Sequence, residues 1–262
     1  MIQPFSFKKK LAVIILLITF VSNAQRTMFG AQNNYLGPLL TTSASLKLHY
    51  DTNNASSYPG LGTTLNDLSG NGNHGTLVNS SSFVNLSPTA GGGVLSFNGT
   101  NQYISTTYTP SNTCTISIWF YNNSNYSTFN RGIFSTYNGS SGTNGIYMAT
   151  LNPSLNLSRD GNIGYATTVL PTLSINTWYN VTVTSDPTGA SGSGNIKVYL
   201  NGTLQTTITG KTTHTDVLNF GRSRYDTNYW SGYIGSAMVY STVLSDTEVL
   251  TNFNAQKTRF GY

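Results

Sequence analysis

The sequence predicts an all-β protein, an antiparallel sandwich of two sheets or jelly roll with one short helix near its C-terminal end. Charged residues make up only 8% of the chain, against about 25% in an average soluble domain, and Asn, Ser, Thr and Gly supply the polarity instead. The 17 tyrosines and the abundant threonines favour strands. Short stretches of alternating apolar and polar residues recur between Gly- and Asn-rich turns, which is typical of a sandwich.

The amino terminus has the three parts of a secretory signal peptide. Lys8, Lys9 and Lys10 precede the apolar run Leu11–Val21, and small residues follow up to Ala24. We therefore expect residues 1–24 to be a signal peptide and the protein to be secreted, extracellular or at the cell surface. The apolar run is about half of the roughly 20 residues that a membrane-spanning helix needs, so we expect no membrane insertion after cleavage.

Residues 25–44 are polar, contain Gly37-Pro38 and lack an apolar period, which predicts a leader or linker. Residues 45–262 are expected to form a single domain. The formal charge of the whole chain is +5. Loss of the three signal-peptide lysines lowers it to +2, so nucleic acid is not an expected partner.

Strands are predicted wherever apolar residues alternate with polar ones and a turn signal follows. In chain order these are Leu46–Tyr50, Gly93–Gly99, Tyr103–Ser105, Cys114–Phe120, Gly132–Tyr137, Gly145–Ala149, Leu155–Ser158, Trp178–Thr184, Ile196–Leu200, Leu218–Gly221 and Tyr233–Tyr240. The only cysteine, Cys114, excludes an intramolecular disulfide and alternates with Ile116 and Ile118, which favours a buried small side chain over a nucleophile.

One helix is predicted after the last strand. Ser245-Asp246-Thr247-Glu248 forms a capping box, in which the first and fourth side chains bond to each other's backbone N–H. Val249, Leu250 and Phe253 follow on one stripe and are expected to be buried.

The segment Asp67-Leu68-Ser69-Gly70-Asn71-Gly72-Asn73-His74-Gly75-Thr76 predicts a shaped loop, because its glycines reach positive φ and its amides bond neighbouring peptides. Asp67, Asn71 and Asn73 offer hard oxygen ligands, which makes calcium the cofactor to consider. No bidentate acid follows, and the alternative is that these side chains only satisfy peptides of the turn.

In order and spacing, the motifs resemble the concanavalin A-like lectin/glucanase superfamily in its laminin G-like (LamG-like) branch. The matching motifs include Tyr58-Pro59-Gly60, Leu95-Ser96-Phe97-Asn98-Gly99, Thr177-Trp178-Tyr179-Asn180-Val181 and Val198-Tyr199-Leu200-Asn201-Gly202, and they extend from about Ser45 to about Phe253. The resemblance implies a jelly roll that serves glycan binding, adhesion or structural roles. It also implies that the first and last strands lie side by side, with Leu46 and Leu48 beside Ala237 and Val239. Amides in Asn98-Gly99-Thr100-Asn101-Gln102 replace carboxylates of the family pattern, which weakens any cation site there.

Catalysis is not expected. Glycoside hydrolysis needs two carboxyl groups about 5–9.5 Å apart, and the chain has eight acidic residues, of which Glu248 is the only glutamate and lies in the capping box. The Glu-x-Asp-x-x-Glu strand of glucanase relatives has no counterpart. His49, His74 and His214 have no metal-ligand spacing, and no Gly-x-Ser-x-Gly motif occurs.

Aromatic residues on outward strand faces are the candidates for glycan binding, since their rings stack on sugars and nearby amides bond hydroxyls. Alternation places Trp119 and Tyr121 opposite the inward side chains of their strand, and Trp178 and Tyr199 likewise. Trp230 lies in a predicted loop and is expected to be exposed. The candidate ligand-binding residues are thus Trp119, Tyr121, Trp178, Tyr199 and Trp230. Burial of Trp119 and Trp178 under crossing loops is the alternative.

The sequence as a whole favours a secreted, non-catalytic domain that binds carbohydrate or a surface protein, or mediates adhesion, at a cell or matrix surface. The alternative is a structural or adhesive subunit of an extracellular filament or virion, which would use the jelly roll for self-association. The polar leader is compatible with this alternative, because a flexible arm can dock on a neighbour.

Overall fold

The computed structural model describes residues 45–123, 131–136, 145–151, 154–159, 168–188, 194–210, 212–223 and 228–262. All of them belong to one compact unit, Leu40–Tyr262. The predicted signal peptide and leader, residues 1–44, lie outside the described residues. No helix in the described part of the chain is long and apolar enough to cross a membrane.

The described residues are mostly in short strands, as predicted. The strands are β1 (Leu46–Asp51), β2 (Thr64–Leu65), β3 (Gly75–Val78), β4 (Ser82–Asn85), β5 (Gly93–Asn98), β6 (Tyr103–Thr106), β7 (Cys114–Asn122), β8 (Arg131–Ser135), β9 (Ile146–Leu151), β10 (Ser154–Arg159), β11 (Thr168–Thr172), β12 (Thr177–Asp186), β13 (Asn195–Leu200), β14 (Thr203–Thr209), β15 (Asn219–Phe220) and β16 (Ser231–Tyr240).

These strands form two antiparallel sheets. In the first sheet the order is β14-β13-β12-β7-β16-β5-β4, with β1 paired to the C-terminal half of β16 beside β5. In the second sheet the order is β11-β10-β9-β8-β15-β6-β3-β2. The predicted two-sheet antiparallel jelly-roll sandwich is therefore confirmed.

The core lies between the sheets and follows from the alternation of the strands. On β7 the side chains of Cys114, Ile116, Ile118 and Phe120 all point into it and are fully buried. The prediction for the cysteine is confirmed: burial raises the pKa of the Cys114 thiol to about 12, so the side chain is an uncharged thiol at neutral pH.

The first and last strands close the first sheet, as predicted. Leu48 pairs with Val239 and Tyr50 with Ala237, while an irregularity at the start of β1 places Leu46 opposite Tyr240.

Helix α1 (Asp246–Gln256) begins with the predicted capping box. The Glu248 N–H donates to Ser245 Oγ (3.3 Å), and the Ser245 N–H donates to Glu248 Oε2 (2.7 Å). Val249 and Phe253 are buried, but Leu250 is 44% exposed, so the prediction of a buried Leu250 is wrong. The helix turns only the stripe containing Val249, Asn252 and Phe253 towards the sheet.

A 3₁₀ turn (Lys257–Phe260) continues α1 and leads to Tyr262. We call residues 246–262 the C-terminal segment. It packs on the outer face of the first sheet, where Phe253 and Phe260 join a second apolar cluster with Val94, Trp119 and Trp178. This sheet is therefore covered on its inner face by the core and on part of its outer face by the end of the chain.

Candidate functional site

The loop that contains Asp67, Asn71 and Asn73 lies along the edge of β1 that faces away from β16. Asn71 Nδ2 donates to the carbonyl of Leu46 (2.9 Å), and Asn73 Nδ2 donates to that of Lys47 (2.6 Å). These side chains thus bond to the edge of a strand and take the place of a neighbouring strand, a role that protects an open sheet edge.

The carboxylate of Asp67 completes this edge. Its Oδ1 accepts from the N–H groups of His49 (2.8 Å) and Ser69 (2.9 Å), and its Oδ2 accepts from Ser69 Oγ (2.7 Å) and the N–H of Asn73 (3.0 Å). Burial alone would raise the pKa of Asp67, but the hydrogen bonds from Ser69, His49 and Asn73 outweigh it and lower the pKa below its ordinary value.

Calcium does not fit this arrangement. Four donors already occupy the accepting positions of the Asp67 carboxylate, and a cation would have to displace three backbone N–H groups from it. Nowhere in the described ranges do three His, Cys, Asp or Glu side chains form a group that could hold a metal ion. The hydrogen bonds support the alternative that the loop satisfies peptides, although most of those peptides belong to β1 and not to the turn itself.

Three of the five candidate aromatic residues face outward on the first sheet but are covered by the C-terminal segment. Trp119 is fully buried, with Phe260 stacked on it at 4.1 Å between ring centroids. Trp178 is 4% exposed, and its Nε1 donates to the carbonyl of Ala90 (2.8 Å). Tyr199 is 1% exposed and donates its hydroxyl to Asp246 at the start of α1 (2.8 Å). All three side chains are therefore buried, which corrects the prediction of Trp119, Trp178 and Tyr199 as binding residues.

The prediction that Trp230 is exposed is wrong. Its side chain is fully buried and packs edge-on against Phe120 in the inter-sheet core, with centroids 5.3 Å apart. Backbone hydrogen bonds from Trp230 N to Gly221 O (2.8 Å) and from Gly99 N to Trp230 O (2.9 Å) hold this segment between two others. Trp230 is thus a core residue immediately before β16.

Tyr121 is the candidate that remains at the surface, and it belongs to a row of side chains that crosses the sheet. On neighbouring strands, Trp178 pairs with Tyr121, Tyr121 with Tyr233, Tyr233 with Ser96, and Ser96 with Ser82. Directly opposite residues share a face of the sheet. We call these five residues the aromatic row.

The rings of the aromatic row contact one another. The centroids of Tyr121 and Tyr233 are 5.3 Å apart, with 35° between the ring planes, and those of Tyr121 and Trp178 are 5.4 Å apart. These distances are typical of favourable aromatic pairs. The two tyrosine rings therefore form a continuous surface, and the buried Trp178 supports one end of it.

Four hydroxyl groups of the aromatic row are open to solvent. Tyr121, Tyr233 and Ser96 are half-buried, and Ser82 is exposed. Within the described ranges, none of these four side-chain hydroxyls has a hydrogen-bond partner. They contrast with the hydroxyl of Tyr199, which is bonded to Asp246.

The row has a border on each long side. On one side the loop 87–92 and Phe260 pack against Trp178. A Cβ atom at Gly91 would lie 2.6 Å from the Trp178 ring, and φ at Gly91 is +116°. Only glycine therefore permits this close contact. On the other side lies the next outward pair, Ser231 and Asn98. The Asn98 side chain closes its own turn by accepting from the N–H groups of Thr100 (2.9 Å) and Asn101 (3.2 Å).

Sequence reasoning did not find Tyr233, Ser96 or Ser82. A signal was present for the first two, because Tyr233 precedes the buried Ile234 and Ser96 lies between the buried Leu95 and Phe97. Their alignment with Tyr121, in contrast, depends on pairing between strands that are far apart in sequence.

The two-sheet antiparallel architecture is that of a jelly-roll β-sandwich. A laminin G-type family model of the concanavalin A-like lectin/glucanases superfamily matches residues 98–250, more than half of the chain. The protein therefore belongs to this superfamily, and the resemblance found in the sequence is confirmed.

Solved structures show the same fold at low sequence identity. The receptor-binding domain of botulinum neurotoxin type G is 19% identical, with a TM-score of 0.58, over 81% of this chain and 52% of that one. Domain 4 of AbnA, a GH43 extracellular arabinanase from Geobacillus stearothermophilus in complex with arabinotriose, is 17% identical (TM-score 0.56, 79% and 97% covered). Trypanosoma rangeli sialidase in complex with sialic acid is 13% identical (TM-score 0.60, 92% and 39% covered). The chain thus spans about half the length of the first of these proteins. No curated protein sequence matches the chain.

Proposed function

We propose that the protein is a secreted, non-catalytic domain that binds glycans at a cell or matrix surface. The observation that carries this proposal is the aromatic row, in which two contacting tyrosine rings and two serine hydroxyls lie open on one face of a rigid sheet. A site built on strands holds its side chains in place with little loss of conformational entropy on binding.

The chemistry of the row suits a sugar. The C–H faces of a sugar ring are apolar and can stack on Tyr121 and Tyr233, while its hydroxyls can bond the unpartnered hydroxyls of Tyr121, Tyr233, Ser96 and Ser82. A surface that combines an apolar platform with a few convergent polar groups is the usual composition of a small-ligand site.

The positions of the carboxylates support a non-catalytic role. Asp51 is paired with Arg259, Asp246 with Lys197, and Glu248 with the N-cap of α1. None of these groups belongs to the aromatic row, and the row itself contains no acid or base of the kind that glycoside hydrolysis requires.

The related structures and the amino terminus support the remaining parts of the proposal. The arabinanase domain, which the match covers over 97% of its length, was solved in complex with arabinotriose, so a domain of this fold accommodates a glycan ligand in another protein. Secretion is inferred from the predicted signal peptide at residues 1–24.

A glycan array on purified residues 25–262 tests the proposal. We expect binding to one class of glycan, and we expect Tyr121→Ala and Tyr233→Ala to weaken it. Leu61→Ala is the matched control, because Leu61 is 74% exposed and lies in the loop between β1 and β2, outside the row. A wild-type protein that binds no glycan but self-associates would contradict the proposal and favour an assembly subunit.

A further inference from the structure

We propose that the aromatic row binds an extended, uncharged oligosaccharide that lies across the strands, with a stacking subsite at its aromatic end and a hydrogen-bonding subsite at its serine end. This inference rests on the proposed function and specifies the ligand of the same site.

The length of the row is the first argument. Its four accessible residues, Tyr121, Tyr233, Ser96 and Ser82, lie on four neighbouring strands, β7, β16, β5 and β4. Because strands in a sheet are about 4.8 Å apart, this accessible part of the row extends over roughly 14 Å. A monosaccharide covers one or two of these positions, whereas a chain of several sugars can reach from Tyr121 to Ser82.

The order of residues along the row is the second argument. Aromatic rings occupy one end, where Tyr121 and Tyr233 are in contact, and the small hydroxyl side chains of Ser96 and Ser82 occupy the other. Stacking therefore dominates at the aromatic end, and hydrogen bonds to sugar hydroxyls dominate at the serine end. Only a ligand that runs across the strands contacts both ends.

The position of the row across the strands is the third argument. The loop 87–92 and Phe260 pack against Trp178 at the aromatic end, and the pair Ser231 and Asn98 follows Tyr233 and Ser96 along their strands. A ligand that lay along one strand would contact a single residue of the row, whereas a ligand across the strands contacts several.

The charge of the site determines the ligand class. The row and both borders consist of Tyr, Trp, Phe, Ser, Thr, Pro, Ala, Gly and Asn. Two arginines lie beside the row. Arg259 is 4% exposed and paired with Asp51, and Arg131, next to the turn at Gly99, is half-buried and donates to the carbonyls of Gly99 (2.6 Å) and Tyr229 (3.3 Å). Because both guanidinium groups are already engaged within the protein, a carboxylate-bearing sugar has little charge-assisted hydrogen bonding to gain, and the row suits a neutral glycan.

Titration calorimetry with oligosaccharides of defined length tests this inference. The probes are arabino-, xylo-, cello- and malto-oligosaccharides of one to six units, together with lactose and sialyllactose, added to residues 25–262. We expect the affinity for one neutral series to rise about tenfold or more from the monosaccharide to the tetrasaccharide, and sialyllactose to bind no better than lactose.

Variants assign the two subsites. Tyr233→Ala should weaken binding of short and long members of the series alike, by about tenfold. Ser96→Ala and Ser82→Ala should weaken only the longer members, with unchanged melting temperatures because both hydroxyls lack partners in the described structure. NMR shift mapping on the wild type gives the same information without a variant: a tetrasaccharide should perturb residues at both ends of the row.

An affinity that does not depend on chain length, tighter binding of sialyllactose than of every neutral probe, or failure of all four neutral series would overturn the inference. The proposed function would stand in each case if the array still reports a bound glycan. If the array reports none, both fail together.

Discussion

One buried arginine, Arg259, anchors the C-terminal segment. Replacing this side chain tests how the segment is held on the sheet. Arg259 is 4% exposed and forms an ion pair with Asp51 at 2.5 Å. Its Nε donates to the carbonyl of Gly91 (2.6 Å), and its Nη2 donates to those of Gly93 (3.1 Å) and Gly235 (3.2 Å). One side chain thus joins the end of the chain to β1, β5 and β16.

The cost of Arg259→Ala follows from what the substitution leaves behind. The Asp51 carboxylate, in a residue that is 8% exposed, loses its counter-ion, and breaking a buried pair by removing one partner costs about 3–5 kcal/mol. Phe260 would also lose its fixed position on Trp119, where the rings are stacked at 12°. We therefore expect a loss of about 4 kcal/mol in the free energy of unfolding.

Urea unfolding followed by tryptophan fluorescence measures this loss, because Trp119 and Trp178 lie beneath the segment. A double-mutant cycle with Asp51→Ala isolates the pair, and the double variant should be less destabilised than the sum of the single ones. Lys257→Ala, outside the buried network, is the matched control. A loss below about 1 kcal/mol for Arg259→Ala would show that the pair behaves like a surface salt bridge and would refute this reasoning.

Three further predictions concern the loop, the helix and the cysteine. Asp67→Asn should destabilise the protein at neutral pH but much less in acid, because the pKa of Asp67 is lowered in the folded state. The carboxylate therefore contributes fully to the free energy of unfolding above the ordinary carboxyl pKa of about 4, and this contribution is lost as the pH falls through the lower folded pKa. Melting curves from pH 7 to pH 2 check this, and a difference in melting temperature between the two proteins that stays constant with pH would contradict it. Leu250→Asp should lower the free energy of unfolding by less than about 1 kcal/mol and Val249→Asp by several kcal/mol, because only Val249 is buried. Urea unfolding measures both losses, and equal losses would be inconsistent with the placement of α1. The thiol of Cys114 should resist alkylation at pH 8 until the protein unfolds, because burial raises its pKa to about 12, and rapid labelling of the native protein would show the burial to be incorrect.

The alternation of apolar and polar residues predicted the strands that are buried on one face. It missed strands such as β14, in which the apolar residues do not recur at every second position. The strands β7 and β16 were found because apolar residues occupy every second position, Ile116 and Ile118 in β7 and Ala237 and Val239 in β16. The pairing of β14 with β13 shifts between Val198 and Tyr199. As a result, Leu204 lies opposite Tyr199 on the outer face, whereas Ile208 lies opposite Ile196 on the inner face. The period of two is broken there, so the sequence contains no clear strand signal.

The candidate site was predicted only in part, for a related reason. Alternation correctly placed Trp119 and Tyr121 on the outer face of the sheet, but it contains no information on what covers that face. Phe260, which is far from Trp119 in the chain, stacks on it. This contact buries Trp119, whereas Tyr121 on the same strand stays accessible. Trp230 was assigned to a loop for its Asn, Ser and Gly neighbours, while its burial depends on contacts with Phe120.

Binding at the aromatic row can be observed directly through the tyrosine rings. NMR spectra of tyrosine-labelled protein, assigned with single Tyr→Phe variants, should be recorded while the best glycan from the array is added. We expect the ring signals of Tyr121 and Tyr233 to shift with one common dissociation constant, and those of the buried Tyr199 and Tyr240 to remain in place. Saturable binding that leaves both row tyrosines unchanged would contradict the assignment of the glycan site to this face of the sheet.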